Sequence, residues 1–297
     1  VTLSIPVTEG LLEAGLDPDD TERVVRGALA EDLRYGPDVT SAATATAGAR
    51  AVAGVVAREP GVLAGLPVAL AVLDAAGVPP EAAEPRHADG DRIAAGAEVL
   101  RIRSGLRELL GAERTLLNVL THLSGIATAT RAWEDALSGT GCAVRDTRKT
   151  IPGLRQLEKY AVRCGGGLNH RMGLGDAALI KDNHVAAAGS VTKAIEAVRA
   201  AAPALPLEVE CDDLSQVEEA LAAGAELILL DNMDLADLRA AVALAKPHPA
   251  VRLEASGGLR LATARAVAET GVDFVAVGAL THSSPALDLG LDVVREP

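Results

Sequence analysis

The sequence predicts an α/β chain in two parts, an α+β region at the N-terminus followed by an α/β barrel. Three observations carry this. Hydrophobic residues make up 49% of the 297 residues but aromatic ones only 1%, so the core must be built from Ala, Val, Leu and Ile. Such side chains suit parallel strands covered on both faces by helices. From about residue 112, short apolar runs ending in polar residues alternate with stretches of helical period. Before that point, strand-like and helix-like stretches mix without such alternation.

Residues 20–33 have apolar positions at helical spacing with Asp19 or Asp20 as N-cap, and Tyr35-Gly36-Pro37-Asp38 breaks the pattern. Residues 50–64 read as short strands around a Pro-Gly turn, 66–76 as a helix, and 87–103 as short β pieces with two Gly turns. A long helix, Glu113 to Leu137, leads into the repeating part. Its strand candidates are Cys142–Thr147, Ala177–Lys181, Leu207–Cys211, Leu227–Leu230, Val251–Ala255 and Phe274–Val277. Helical stretches fill 190–202, 213–223, 234–245 and 260–270, and residues 285–297 form a short tail. Alternation of this kind implies right-handed crossovers, and six or more units suggest a barrel rather than an open sheet.

The bulk numbers exclude several classes. A formal net charge of -13 repels phosphate backbones, which argues against nucleic acid as a partner. Cys142, Cys164 and Cys211 form no CxxC pair and no metal-type spacing, and read as reduced packing thiols. Val1 to Gly15 lacks a signal pattern, and no apolar run approaches the roughly 18 residues of a membrane helix, so a cytoplasmic protein without membrane contact is expected.

The candidate strand ends are loaded with polar groups. Chemistry in α/β barrels sits at those C-terminal ends. Arg148, Lys149, His170, Arg171 and Lys181 form a positive set in an acidic chain, which points to a substrate with several negative groups. Pairing with Asp146, Asp176 and Asp182 is the bland alternative. Ser256-Gly257-Gly258 follows one strand and Gly278-Ala279 follows the last. Glycines there let backbone N–H groups approach a phosphate. Glu210 and Asp231 end adjacent strands and could hold Mg²⁺ or stabilise developing positive charge, or else pair with a neighbouring cation. Gly165-Gly166-Gly167 either lets the backbone pass close to a ligand or stops a helix after Arg163. His122 reads as an ordinary helix or loop histidine.

The segment DTRKTIPGLRQLEKYAVRCGGGLNHRMGLGDAALIKDNH, residues 146–184, closely resembles the central motif of the quinolinate phosphoribosyltransferase family. EDLRYGPDVTS at 31–41, GAERTLLNVLTHLSGIAT at 111–128, LEVE at 207–210, LLDNM at 229–233, EASGGL at 254–259 and VGALTHS at 277–283 resemble that family's segments in order. The resemblance implies an incomplete, seven-stranded α/β barrel over 116–283 and an α+β domain over 1–115, to which the tail 284–297 returns. It implies a phosphoribosyl transfer to quinolinate with loss of carbon dioxide, in NAD biosynthesis. It also implies Mg²⁺ with phosphoribosyl pyrophosphate, no organic cofactor, and a homodimer or larger assembly with shared active sites. By matching position, Arg148, His170, Arg171 and Lys181 would contact the quinolinate carboxylates, with Arg114 reaching in from a partner subunit. Lys149, Glu210 and Asp231 would face ribose and pyrophosphate, with Lys149, Lys181, Glu210 and Asp231 the catalytic set. Ser256, Gly257, Gly258, Gly278 and His282 would surround the 5-phosphate.

Two positions depart from the family: Ile151 stands where Thr is usual, and Gly290 where Ser is common. A related branch linked to molybdenum transport lacks the Lys-Asp-Asn present here at 181–183. Two other classes compete. A Schiff-base aldolase barrel would use Lys181 or Lys149 as nucleophile, but both are crowded by cations. A silent anion-binding barrel would not need the full set of strand-end residues.

Overall fold

The computed structural model describes residues 2–295. It divides into two compact units. The first comprises Val1–Arg131, Thr150–Gly166 and Thr281–Pro297, the second Ala132–Lys149 and Gly167–Leu280. The expected boundary at 115/116 falls inside a helix, Leu106–Leu137, that carries the chain from one unit to the next.

The first unit is built on a mostly antiparallel plan. Strands β1 (Arg50–Ala57), β2 (Gly61–Val62), β3 (Ala83–Pro85), β4 (Arg92–Ile93) and β5 (Glu98–Gly105) precede the long helix. One sheet has the order β12-β1-β5-β3, where β12 is Leu289–Arg295; a second pairs β2 with β4. In β1 the residues Ala51, Ala53, Val55 and Ala57 are buried and alternate with more exposed ones, the period-two signature of a half-buried strand. The helix Leu66–Ala75 is apolar nearly all round and buries six side chains. Asp89 accepts from the N–H groups of Gly65 and Leu66 at its start, and from the Tyr160 hydroxyl at 2.6 Å.

The second unit holds one six-stranded sheet, with strands β6 (Ala143–Arg145), β7 (Ala178–Ile180), β8 (Leu207–Cys211), β9 (Leu227–Asp231), β10 (Arg252–Ser256) and β11 (Phe274–Ala276). Its order is β6-β11-β10-β9-β8-β7, and every pair is parallel. Each lies within two residues of its expected position. The helices between them start where the sequence supplies an acceptor. Ser190 caps Val191–Ala201, Asp213 caps Leu214–Ala222 and Asp234 caps Leu235–Ala245, each through its side-chain oxygen.

The expected count of seven strands is corrected to six. A seventh position exists only as a single parallel bridge, Leu168 to Arg145. Leu168 donates to the Val144 carbonyl and accepts from Asp146, while the Arg145 carbonyl accepts from Val277 on the β11 side. The segment is too short to make a ladder. Gly166 precedes it in a left-handed conformation (φ +97°), and the side chain of Asp146 then takes the N–H of His170 at 2.8 Å.

Candidate active site

Side chains two apart on a strand share a face. Glu208 and Glu210 on β8, Leu229 and Asp231 on β9, and Glu254 and Ser256 on β10 share one face of the sheet, with Glu210 beside Leu229 and Ser256 beside Asp231. At the C-terminal ends of these strands lies a cavity of about 240 Å³. Its wall includes Arg148 and Lys149 beyond β6, His170 and Arg171 beyond the Leu168 bridge, Lys181 beyond β7, and Glu210, Asp231, Glu254 and Ser256. Eight of the sequence-expected residues (Arg148, Lys149, His170, Arg171, Lys181, Glu210, Asp231 and Ser256) therefore meet here from strands far apart in the chain.

Local hydrogen bonds fix several of them. Thr147 accepts from the Lys149 N–H at 3.0 Å. His184 Nδ1 accepts from the Lys181 N–H at 2.9 Å, at the start of a short helix, Asp182–Ala188. Lys181 Nζ pairs with Glu210 at 2.5 Å. The Arg171 guanidinium donates to the Ala177 carbonyl at 3.0 Å, but its Nε is buried without a hydrogen-bond partner. Burial, and then the Arg148 charge, push the Arg171 guanidinium down from its ordinary value. A half-buried cation lowered in this way gains from an anion brought beside it.

The three acids of the bland alternative also serve the local backbone, and the Arg171 charge helps hold the Asp176 carboxyl below its ordinary value. Asp146 accepts from His170 N–H and from Asn169. Asp176 accepts from Met172 and Gly173 N–H, and Asp182 from Asn183 N–H.

Gly257 (φ +92°) and Gly258 (φ +58°) follow Ser256 in left-handed conformations. A Cβ at Gly257 would collide with Asn232, itself left-handed at φ +53°. Gly278 joins β11 to the short helix Ala279–His282 and does not line the cavity. His282 belongs to the first unit, where its Nδ1 meets Ser283 Oγ at 2.7 Å. Arg114 stands on the long helix, also in the first unit. Of the Gly triplet's two readings, Gly166 is a helix stop: it is the left-handed C-cap of Arg155–Gly165. His122 Nε2 lies 3.0 Å from buried Glu158. Burial pushes all three cysteine thiols up to about 12, consistent with inert packing groups.

Sequence reasoning missed a set of buried charges that meets the cavity wall at His170 and Glu254. His170 Nε2 lies 2.8 Å from Glu208 Oε2 and 3.6 Å from Glu254 Oε1. Arg145 pairs with the other oxygen of Glu254 at 2.5 Å and sits 5.0 Å from the Phe274 ring centroid. Burial, and then the neighbouring Glu208 carboxylate, push the Glu254 carboxyl up to about 7. Period two was the available signal, since Glu208 and Glu254 stand two residues before Glu210 and Ser256.

Residues 38–124 match the family described as Quinolinate phosphoribosyl transferase, N-terminal domain, and residues 126–292 match its C-terminal domain. The chain belongs to the quinolinate phosphoribosyl transferase family. Among its relatives is a nicotinate-nucleotide pyrophosphorylase [carboxylating] of Mycobacterium leprae, 56% identical over 93% of this chain and 98% of that protein. The human protein of the same name is 38% identical over 93% of this chain and 92% of its own length. The crystal structure of NadC from Streptococcus pyogenes superposes with a TM-score of 0.88 at 41% identity, covering 95% of this chain and 99% of that one. No helix among the described residues is long and apolar enough to cross a membrane.

Proposed function

We propose that this chain is a carboxylating nicotinate-nucleotide pyrophosphorylase. It moves the phosphoribosyl group of phosphoribosyl pyrophosphate to the ring nitrogen of quinolinate, releasing pyrophosphate and carbon dioxide. The observation that carries this is the cavity wall, where Arg148, Lys149, Arg171 and Lys181 gather around one opening in a chain of net charge -13. A ligand with two carboxylates and a phosphorylated partner supplies the matching negative charge.

Arg148, Arg171 and Lys181 face the quinolinate carboxylates, with His170 in the same wall. Lys149, Glu210 and Asp231 face the ribose and pyrophosphate, and Ser256, Gly257, Gly258 and Gly278 surround the 5-phosphate. Arg114 is supplied by the second copy of a homodimer, and the protein works in the cytoplasm. Glu210 and Asp231 offer hard oxygen donors on neighbouring strands, a set that suits Mg²⁺. Bound there with the pyrophosphate, the ion would supply neutralising charge for the leaving group.

The bond from the ribose C1 to pyrophosphate breaks, with Lys149 stabilising the departing charge. Positive charge develops at C1 beside Glu210 and Asp231. The pyridine nitrogen, held in line by the cations, attacks. When the 2-carboxylate departs as carbon dioxide, the electron pair of the broken bond stays on C2, where the adjacent quaternary nitrogen stabilises it, and C2 then takes up a proton from water. Nicotinate lacks the second carboxylate and would leave buried charge unmatched.

We also infer that the sheet curls into an incomplete barrel, with Leu168 in the seventh position. The support is a distance: His170 lies 2.8 Å from Glu208. In a flat sheet those positions would stand five strand spacings apart, roughly 24 Å at about 4.8 Å each.

The test is an assay of purified protein with phosphoribosyl pyrophosphate, Mg²⁺ and either quinolinate or nicotinate. Carbon dioxide and nicotinate mononucleotide from quinolinate alone are expected. Product from nicotinate instead would overturn the reading of the cation cluster.

A further inference from the structure

His170 sits among cations in the sequence motif, yet its ring is engaged on both sides. The Arg171 backbone N–H donates to Nδ1 at 2.7 Å, which requires a bare lone pair on that nitrogen. Nε2 lies 2.8 Å from Glu208 Oε2, an acceptor, so the ring's proton belongs on Nε2. Glu254 Oε1 faces the same nitrogen at 3.6 Å. Arg145 holds Glu254 from the far side at 2.5 Å. The backbone of His170 is pinned as well, through its N–H to Asp146. The side chains of His170, Glu208 and Glu254 are 7%, 4% and 0% exposed, so water does not compete for these contacts. The charged groups around the ring include Glu208 and Glu254 with Arg145 behind Glu254, Asp146 at its backbone, and Arg171 next along the chain.

We propose that Glu208, Glu254 and Arg145 are positioning residues that hold His170 as a neutral imidazole with its proton on Nε2, so that the positive charge this wall presents to the substrate comes from Arg148, Lys149, Arg171 and Lys181 and not from the imidazole. His170 then acts by shape. Its ring, locked in one orientation, walls the cavity and turns its polar atoms away from the ligand. A second consequence concerns the neighbouring arginine. The peptide N–H that fixes Nδ1 is that of Arg171, so the imidazole also fixes the backbone from which the Arg171 side chain departs. The two glutamates thus act on the substrate through His170 and Arg171. A divalent cation among His170, Glu208 and Glu254 is the competing arrangement, since their ligand atoms lie within 4.8 Å of one another. Arg145 already fills the charge-balancing role there.

The test is a long-range ¹H–¹⁵N spectrum of the full-length protein labelled at its six histidines, with the His170 signal identified by its loss in His170→Gln. The expected pattern is a neutral ring with Nε2 protonated and Nδ1 bare. Glu208→Gln, whose amide oxygen still accepts, keeps that pattern and holds the KM for quinolinate within about twofold. Glu208→Ala loses it and raises that KM about tenfold, the equivalent of about 1.4 kcal/mol. A wild-type ring protonated on both nitrogens, or on Nδ1, would overturn the proposal, as would a zinc- or manganese-dependent change in the His170 signal. The inference rests on the quinolinate reading only for the KM comparison. The ring pattern needs no ligand, so the expected spectrum with no quinolinate binding would sink the function and leave the positioning role standing.

Discussion

Two layers of the same sheet face carry similar residues and do different work. The outer layer, Lys181, Glu210, Asp231 and Ser256, lines the opening at the strand ends. The inner layer is Arg145, His170, Glu208 and Glu254, of which only His170 and Glu254 reach the cavity wall. On β8 the step from Glu210 to Glu208 is two residues, roughly 6.6 Å. Both layers contain a cation–carboxylate contact of 2.5 Å, yet Lys181 is 45% exposed while Glu254 is 0% exposed. Water and a ligand can replace Glu210 as the partner of Lys181. Nothing can replace Arg145 as the partner of Glu254 without stranding a buried charge. Depth, more than residue type, separates groups that bind from groups that position.

The sharpest break of this comparison is Arg145→Ala. Removing one member of a buried pair should cost about 3–5 kcal/mol of stability, read by chemical denaturation. A loss below about 1 kcal/mol would place Arg145 with surface pairs instead. In the outer layer, Lys149→Ala should lower turnover about a hundredfold or more while leaving the unfolding midpoint unchanged. Near-normal turnover would remove Lys149 from the site.

A graded effect follows from Glu254. Its folded pKa, raised to about 7, stands above its ordinary 4.5. The stabilisation it contributes is therefore full below pH 4.5 and is lost as the pH rises through about 7. The melting temperature of the native protein should fall relative to Glu254→Gln across that window. A constant gap between the two would contradict the buried, raised carboxyl. The smallest expected effect lies outside both layers. Asp234→Ala removes the cap of Leu235–Ala245, where Asp234 accepts from Ala236 and Asp237 N–H. It should cost about 1 kcal/mol with activity unchanged.

The repeating half of the fold was legible because parallel strands are locally announced. Leu227–Asp231 is a continuous apolar run ending in Asp, and its neighbours follow the same rule. Ile5–Glu13 was not legible: it carries a Pro in its first turn and buries only Val7 and Leu11. Arg155–Gly165 was hidden inside a motif read for its charges, although it buries Leu157, Tyr160, Ala161 and Val162. The pairing of β12 with β1 joins Ala57 to Leu289, and no local pattern announces such a contact. The count of seven strands came from the family resemblance and not from local pattern, and the structure has one bridge, at Leu168, in place of the seventh. In the site, the outer residues were visible as polar groups at strand ends. The inner glutamates were not, since a Glu within a short strand reads equally as a solvent-facing position. Glu208 and Glu254 stand two strands apart, and the return of His170 links them.

The most direct test of the outer layer's role is a calorimetric titration of the wild-type protein with quinolinate and, separately, with nicotinate. Arg148, Arg171 and Lys181 acting as a dicarboxylate site predict that quinolinate binds at least about tenfold more tightly, a difference of about 1.4 kcal/mol. Equal affinity for the two, or tighter binding of nicotinate, would contradict the account.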